Sequence, residues 1–496
     1  MVLSLVGSSG FYGGSKVREH PIRIYDTMTR RKRQFKPLNP PEVTMYVCGP
    51  TVYGEPHIGN LRTFTSGDLI RRWLTRRGYR VIYVMNITDI EDKTIRDSGA
   101  AGKTLREFTD HYTGVFLRGL DLLQIGRATA HPRATAYVPQ MVEFISGLVE
   151  GGFAYEAEDG VYFDIDRFPG YGRLSGVDLS KTERTERVAS DSYDKEDAQD
   201  FALWKKATPE ELSRGIFFES PWGKGRPGWH IECSVMSREL LGETIDIHAG
   251  GEDLVFPHHE NEVAQSESLT GKQFVRFWLH MRFLKVGGRR MGKSLGNYVS
   301  FDQILEKHSP EALRYFYIST QYRRPLDFTW QAMEAAENTV RRLGNTLDLV
   351  DDALRGPDDN LDYGEREDGL LKSVRAGEEA FGAAMDDDFD TPVALGHLHA
   401  VAGAINEYIT GPANKGALAE AARVYRGMLG ALGLFEERRG PDEAADRVMA
   451  AVLGLRDDLR KAKNYAFADM IRDRLTEAGV TIQDTAGGAA WRMSKG

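Results

Sequence analysis

The run Val43-Thr44-Met45-Tyr46-Val47-Cys48-Gly49-Pro50-Thr51-Val52-Tyr53, followed shortly by His57-Ile58-Gly59-Asn60, decides how this chain reads. Val43 to Val47 is a short apolar run of β-branched and aromatic residues, the pattern of a buried strand. Ser66 to Arg77 carries apolar residues at Leu69, Ile70, Trp73 and Leu74, which is helical spacing, and Val81 to Val84 reads as a second buried strand. Strand, helix and strand make a βαβ unit, and such a unit implies a parallel sheet. The turn at His57-Ile58-Gly59-Asn60 then falls between the first strand and its helix, at the edge where doubly wound sheets bind nucleotides. Gly59 permits close backbone approach there, and His57 and Asn60 can donate hydrogen bonds to phosphate oxygens.

Cys48 ends the first strand. The only other cysteine, Cys233, lies in Gly228-Trp229-His230-Ile231-Glu232-Cys233, upstream of His258-His259-Glu260-Asn261-Glu262. Either thiol alone reads as a small buried hydrophobe, and His258 with Glu262 alone as a capped histidine and a solvated charge. Together, two thiols, an imidazole and a carboxylate make a zinc-ligand set, with His258 and Glu262 on one helix face at i, i+4. No CxxC spacing is present, so the fold must supply the convergence. A second basic element, Arg289-Arg290-Met291-Gly292-Lys293-Ser294-Leu295-Gly296-Asn297, reads by itself as an exposed turn. As a mobile loop it would let Lys293 follow charge developing on a transferring phosphate.

At 496 residues, 41% hydrophobic and 28% charged, the composition is globular and long enough for several domains. Two cysteines argue for a reducing compartment, and no segment has about 18 uninterrupted apolar residues. A cytoplasmic protein without membrane association is expected, as a monomer. The net charge of −9 argues against a broad basic face for nucleic acid. Local patches such as Arg30-Arg31-Lys32-Arg33 remain, and alone they read as solvated.

The chain is expected to divide into a flexible leader at 1–20, a Rossmann-like α/β nucleotide domain in two halves at 21–141 and 226–308, and an insertion at 142–225. A helical bundle at 309–440 and a small C-terminal α/β domain at 441–496 follow. Residues 226–300 read as strand and loop patterns. Helical spacing covers Glu334 to Leu354, Leu370 to Met385, Pro392 to Tyr408 and Gly416 to Leu434. Beyond a break at Arg438 to Asp442, two more helices end at Gly479, and the tail from Val480 to Trp491 can add strands.

Between the two phosphate elements stand Asn86-Ile87-Thr88-Asp89-Ile90, Arg226-Pro227-Gly228-Trp229-His230-Ile231-Glu232-Cys233 and Phe256-Pro257-His258-His259-Glu260-Asn261-Glu262. In this order the motifs resemble those of the class I aminoacyl-tRNA synthetases, and within that class the cysteinyl-tRNA synthetase family. His57 to Asn60 matches the HIGH signature and Arg290 to Ser294 the KMSKS loop, and the resemblance runs from about Ile22 to Arg492. It implies ATP-dependent ligation of L-cysteine to tRNA(Cys) through cysteinyl-adenylate, with one Zn2+ per chain and Mg2+ accompanying ATP. It implies Cys48, Cys233, His258 and Glu262 as zinc ligands, the zinc taking the substrate thiolate, with Cys48, Thr51 and Trp229 at the amino acid. His57, Gly59, Asn60, Gly251, Asp253 and Lys293 fall at ATP, and of these His57, Asn60 and Lys293 act in catalysis. The helical region and the tail, through Asp484-Thr485 and Trp491-Arg492, look like the parts that grip the anticodon stem and loop.

Three positions depart from the signatures. Asn60 replaces the second histidine of HIGH, and Arg290 and Gly292 replace the first lysine and first serine of KMSKS. Asn60 still donates through its amide but carries no charge, Arg290 keeps the charge, and Gly292 loosens the loop. A ligase joining the same adenylate to a small amine would share the site but lack the C-terminal extension. A catalytically silent RNA-binding relative would be expected to lose Lys293 or a ligand, and this chain keeps both.

Overall fold

Strand β1 (Glu42–Val47) buries Val43, Met45, Tyr46 and Val47 completely. Three further strands join it: β2 (Arg80–Met85), β3 (Ile245–Gly251) and β4 (Val275–Met281). The order is β4-β3-β1-β2 and every pairing is parallel. Strands buried on both faces read as continuous apolar runs, which is why β1 and β2 stand out in the sequence. From β1 the chain moves to β2 on one side, and after the insertion it returns to β3 on the other. That reversal opens a crevice at the carboxyl ends of β1 and β3. Tyr46 pairs with His248 and Val47 with Ala249, and the Cys48 N–H donates to the Ala249 carbonyl at 3.1 Å. Cys48 therefore sits at the mouth of the crevice.

The structure is a computed structural model that describes residues 21–177, 200–291, 296–356, 363–435, 443–462, 464–477, 480–485 and 488–493. The expected leader at 1–20, the stretch at 178–199, the loop residues 292–295 with Lys293, the break at Arg438 to Asp442 and Gly479 lie outside the described residues. Contacts divide the chain into two units, Met1–Leu434 and Phe435–Gly496.

In the first unit, helix α1 (Ile58–Arg76) begins at Ile58 rather than at Ser66, so the His57 to Asn60 stretch is its cap and first turn. His57 Nδ1 accepts the Asn60 N–H at 3.1 Å and Asn60 Oδ1 accepts the His57 N–H at 3.3 Å, a reciprocal capping box. Ile58, Leu61 and Phe64 bury the added turns. Thr63, Thr65, Ser66 and Gly67 are weak helix formers and hid those turns from a reading of periodicity. Residues 226–300 also hold more than strand and loop: α2 (Trp229–Leu241) and α3 (Glu260–Thr270) lie there. Both are buried nearly all round where they approach the sheet, so neither shows the amphipathic stripe of a surface helix.

The insertion forms an antiparallel sheet of Ala154–Ala157, Gly160–Phe163, Phe201–Lys206 and Gly225–Pro227, in that order. Its last strand leads straight into α2. After β4, Leu284–Val286 pairs antiparallel with Arg289–Arg290 and parallel with Leu326–Phe328. Gly287 and Gly288, at φ +59° and +77°, supply the two left-handed residues that so tight a hairpin turn requires. Helices α4 (Trp330–Arg355), α5 (Glu365–Asp386), α6 (Thr391–Ile409) and α7 (Lys415–Ala431) form the bundle. A buried ion cluster joins it to α1. Arg314 Nη2 lies 2.7 Å from Asp68 Oδ2, and Arg71 and Arg72 share that carboxylate. Arg314 also donates to the Leu432 carbonyl at 2.8 Å.

The second unit holds helices Glu443–Lys461 and Tyr465–Glu477 and an antiparallel hairpin of Val480–Thr485 with Gly488–Met493. The expected strands of the tail are this hairpin. Among the described residues no helix is long and apolar enough to cross a membrane.

Candidate active site and metal centre

Cys48 follows β1, Cys233 lies on α2, and His258 and Glu262 flank the start of α3. None of the four side chains is more than 6% exposed. A tetrahedral ion with bonds of about 2.3 Å to sulfur and about 2.0 Å to nitrogen or oxygen requires ligand separations of roughly 3.8 and 3.3 Å. Cys48 Sγ lies 3.7 Å from Cys233 Sγ and 3.8 Å from Glu262 Oε1, and His258 Nε2 lies 3.1 Å from Glu262 Oε1. The donor set fits a metal of that geometry. A second group, Cys48, His248, His259 and Glu262, also has its candidate atoms within 4.8 Å of one another.

The tautomers of the surrounding histidines bear on which of the two groups can bind an ion. His248 Nε2 lies 2.8 Å from Glu262 Oε2, and since an ionised carboxylate only accepts, that nitrogen carries the proton. His259 Nδ1 meets His280 Nε2 at 2.7 Å, and His280 Nδ1 meets Thr27 Oγ1 at 2.8 Å. With the Thr27 hydroxyl donating, His280 Nε2–H donates to His259 Nδ1, and His259 Nε2–H faces Cys48 Sγ at 3.3 Å. In that tautomer His259 offers no lone pair to a metal, whereas with His280 Nδ1–H donating to Thr27 the His259 Nε2 lone pair would face the centre. His258 instead turns Nδ1 to His230 Nδ1 at 3.0 Å and Nε2 to the centre. The Trp229 ring lies against His258, with centroids 4.3 Å apart.

Five of the twelve histidines in the chain, His230, His248, His258, His259 and His280, line this one centre and are buried. Sequence reasoning singled out only His258. The crowding of histidines between 230 and 280 was the available signal for the others.

Burial opposes ionisation of both thiols. The Cys48 thiol, donating to Cys233, and the neighbouring His258 bring Cys233 down to about 6, while Cys48 is pushed well above its ordinary value. Burial would also raise Glu262, but His248 and His258 hold it down at about 2. Burial pulls His258 down, yet Cys233 and Glu262 raise it to about 10. A divalent cation would take the place of the protons on Cys48 and His258, so its binding releases protons.

The nucleotide side lies at the start of α1. A β-carbon on Gly59 would come within 3.0 Å of the His57 ring and 3.2 Å of Met291 Cε, so the glycine lets the end of the basic hairpin approach the helix. Asn60 Oδ1 is committed to the cap, leaving its amide N–H groups for a phosphate. Buried Arg62 donates to the carbonyls of Arg282, Phe283 and Arg324 at 2.7, 3.0 and 2.6 Å, tying α1 to the segments beside that hairpin. Gly251 closes β3, and Asp253 lies exposed beyond it. Between them Glu252 accepts from Arg282 Nη1 at 2.6 Å and from the Phe283 N–H at 2.7 Å. Thr51, half-buried, bridges to Thr88. The structure thus brings Cys48, Cys233, Trp229, His258 and Glu262 into one group and His57, Gly59 and Asn60 into another. Gly292, Lys293 and Ser294 lie outside the described residues, and of Arg290 only the backbone is described.

Residues 34–338 match the family model of the tRNA synthetases class I (C) catalytic domain, and residues 380–436 that of the DALR domain. The chain is 43% identical over 477 residues to a cysteine–tRNA ligase of Thermococcus onnurineus, covering 95% of this chain and 99% of that one. It is 46% identical over 463 residues to a cysteine–tRNA ligase of Methanosarcina acetivorans, covering 93% and 97%. Its structure resembles Mycobacterium tuberculosis methionyl-tRNA synthetase in complex with methionyl-adenylate, with a TM-score of 0.61 and 15% identity over 79% of this chain and 91% of that one. At that identity the likeness is one of fold.

Proposed function

The chain belongs to the cysteine–tRNA ligase family of class I aminoacyl-tRNA synthetases, and on that premise we propose that its buried centre holds one zinc ion through Cys48, Cys233, His258 and Glu262. The enzyme ligates L-cysteine to its cognate tRNA in two steps, ATP-dependent formation of cysteinyl-adenylate and transfer to the terminal ribose of tRNA. The observation that carries the zinc assignment is the 3.7 Å approach of two buried thiols beside an imidazole and a carboxylate. Sulfur and imidazole donors suit Zn2+ and disfavour Mg2+ or Ca2+. An ion held by these four residues would supply a soft Lewis acid that lowers the pKa of the substrate thiol, which a serine hydroxyl cannot match. An apolar pocket alone separates such near-isosteres by only about 1–3 kcal/mol.

The residues of this chain bind and orient the rest. Trp229, against His258, walls the amino acid beside the centre, and Thr51 lies on the loop that follows Cys48. A carboxylate oxygen of cysteine attacks the α-phosphorus of ATP and the bond to pyrophosphate breaks, so no covalent enzyme intermediate forms. His57 and the Asn60 amide, at the positive end of α1, stabilise charge at the α-phosphate. Gly251 and Asp253 line the nucleotide, and Lys293 neutralises departing pyrophosphate together with the Mg2+ that accompanies ATP. The 2′-hydroxyl of the terminal ribose of tRNA(Cys) then attacks the adenylate carbonyl and AMP leaves. A monomer at work in the cytoplasm is the remaining part of the proposal, the two free thiols agreeing with a reducing compartment.

The test compares zinc-loaded and chelator-stripped protein in charging total tRNA with labelled cysteine, with serine as competitor. Base-labile label should depend on ATP and tRNA, disappear on stripping and return with Zn2+. Full charging after complete removal of metal would contradict the zinc assignment.

A further inference from the structure

Glu260 and Asn261 stand in the chain between His258 and Glu262, yet their hydrogen bonds lead away from the metal centre. Both side chains are fully buried. Glu260 Oε1 accepts the Gly172 N–H at 2.8 Å and Oε2 accepts the Ser175 N–H at 2.7 Å. Asn261 Oδ1 accepts the Tyr171 hydroxyl at 2.6 Å. Farther along the helix, Glu267 pairs with Arg173 at 2.5 Å. The Tyr171 ring also meets Phe256 edge-on, with centroids 6.5 Å apart. One loop of the insertion, residues 171–176, is therefore fastened to α3 and to the turn before it.

The loop is shaped for this approach. Gly172 has φ +89°, and a β-carbon there would run into the Val177 carbonyl, so the backbone can present its N–H groups to Glu260 only with glycine at that position. Two backbone N–H groups on one buried carboxylate are charge-assisted bonds, stronger than neutral ones.

The geometry of a helix makes such a fastening consequential. At a radius of about 6 Å, rotation of a helix by about 10° carries a side-chain atom roughly 1 Å. Metal–ligand distances tolerate only about 0.2 Å. We propose that the Tyr171–Gly176 loop is a clamp that fixes the rotation of α3, making Tyr171, Glu260 and Asn261 positioning residues for the metal centre formed by His258 and Glu262 with the two cysteines. The insertion thereby contributes to amino-acid selection without touching the amino acid. The inference rests on the zinc assignment above.

The test uses the full-length, zinc-loaded protein and follows metal release to a chromogenic chelator, together with the visible spectrum of the Co2+-substituted form. Tyr171→Phe keeps the ring against Phe256 and removes only the hydroxyl, so it retains the packing needed to fold. Tyr171→Phe and Asn261→Ala should each weaken metal binding by about 10–100-fold, the range for partners that orient metal ligands. The double variant should lose less than the two single losses combined, because the Tyr171–Asn261 bond is lost in all three. Glu260→Gln, which keeps one acceptor oxygen, should fall between wild type and Glu260→Ala, and the Co2+ bands should change in step with affinity. Wild-type protein that holds one metal, with variants that release it at the wild-type rate and keep its Co2+ spectrum, would overturn the clamp and leave the zinc assignment standing. A lowered unfolding temperature with an unchanged spectrum would also overturn it, as ordinary packing. Wild-type protein that binds no metal would remove the premise and the clamp together.

Discussion

Cys48 Sγ and Cys233 Sγ lie 3.7 Å apart although 185 positions separate them in the chain. The parallel pairing of β1 with β3 sets the first sulfur at the mouth of the crevice, and α2, entered directly from the insertion, brings the second to it. Removing either sulfur should break the centre. Cys233→Ser is expected to lower bound metal from about one equivalent to a small fraction. Cysteine-dependent exchange of pyrophosphate into ATP should fall by at least about 100-fold, since even outer partners of a metal site cost 10–100-fold. Elemental analysis and the exchange assay on one preparation check this, and a full metal complement would contradict it.

Gly49 follows Cys48 and donates its N–H to Asn86 Oδ1 at 2.7 Å. A β-carbon at this position would overlap the Asn86 carbonyl oxygen, a backbone atom held beside the sheet. Gly49→Ala should cost at least about 2 kcal/mol and displace Cys48 with it. Thermal unfolding with and without added Zn2+ reads both effects, and a variant as stable and as responsive to Zn2+ as wild type would exclude the overlap.

Gly59 is crowded by side chains rather than backbone, so its substitution should be milder and more specific. A β-carbon 3.0 Å from the His57 ring would move that ring by a few tenths of an ångström. Gly59→Ala is expected to slow adenylate formation by roughly tenfold while leaving the KM for cysteine unchanged, because the displacement falls on the phosphate side. Loss of cysteine affinity instead would mean that His57 and the metal centre are not separate groups.

Asp68 gives a pH dependence with a definite sign. Burial alone would raise its carboxyl, but Arg314, Arg72 and Arg71 overcome burial and hold it far below the ordinary carboxylate range. A carboxylate lowered in this way contributes its full stability above the unfolded value of about 3.9 and loses it as pH falls through the folded value. Asp68→Asn should therefore be about 3–5 kcal/mol less stable than wild type from pH 5 to 8. The gap should narrow below about pH 4. Denaturant titrations across that range check the sign, and a gap that stays constant to pH 3 would contradict it.

How far the sequence reveals the fold depends on whether the pattern of an element is local. β1 and β2 are apolar runs and were legible to within a residue or two at each end. The four bundle helices show their buried stripes and differ from expectation mainly at their ends. The first turns of α1 were hidden by threonine, serine and glycine, and α2 by burial on nearly every side. The charged hairpin of Arg23–Asp26 with Arg31–Gln34 gave no strand signal at all, since packing against the rest of the fold decides its conformation. At the site, the four residues grouped by donor chemistry do come together. The crowding of histidines there is legible, but the roles of His248, His259 and His280 are not, because what gives each its role is a partner distant in sequence, such as Thr27 for His280.

The claim that two sulfurs, an imidazole and a carboxylate hold a zinc ion is open to one direct measurement, X-ray absorption at the zinc K-edge of the purified, zinc-loaded enzyme. Two sulfur scatterers at about 2.3 Å and two nitrogen or oxygen scatterers at about 2.0–2.1 Å are predicted, with a third sulfur on addition of cysteine. A first shell with a single protein sulfur would instead favour the group of Cys48, His248, His259 and Glu262, and one without sulfur, or without change on adding cysteine, would contradict zinc-based selection altogether.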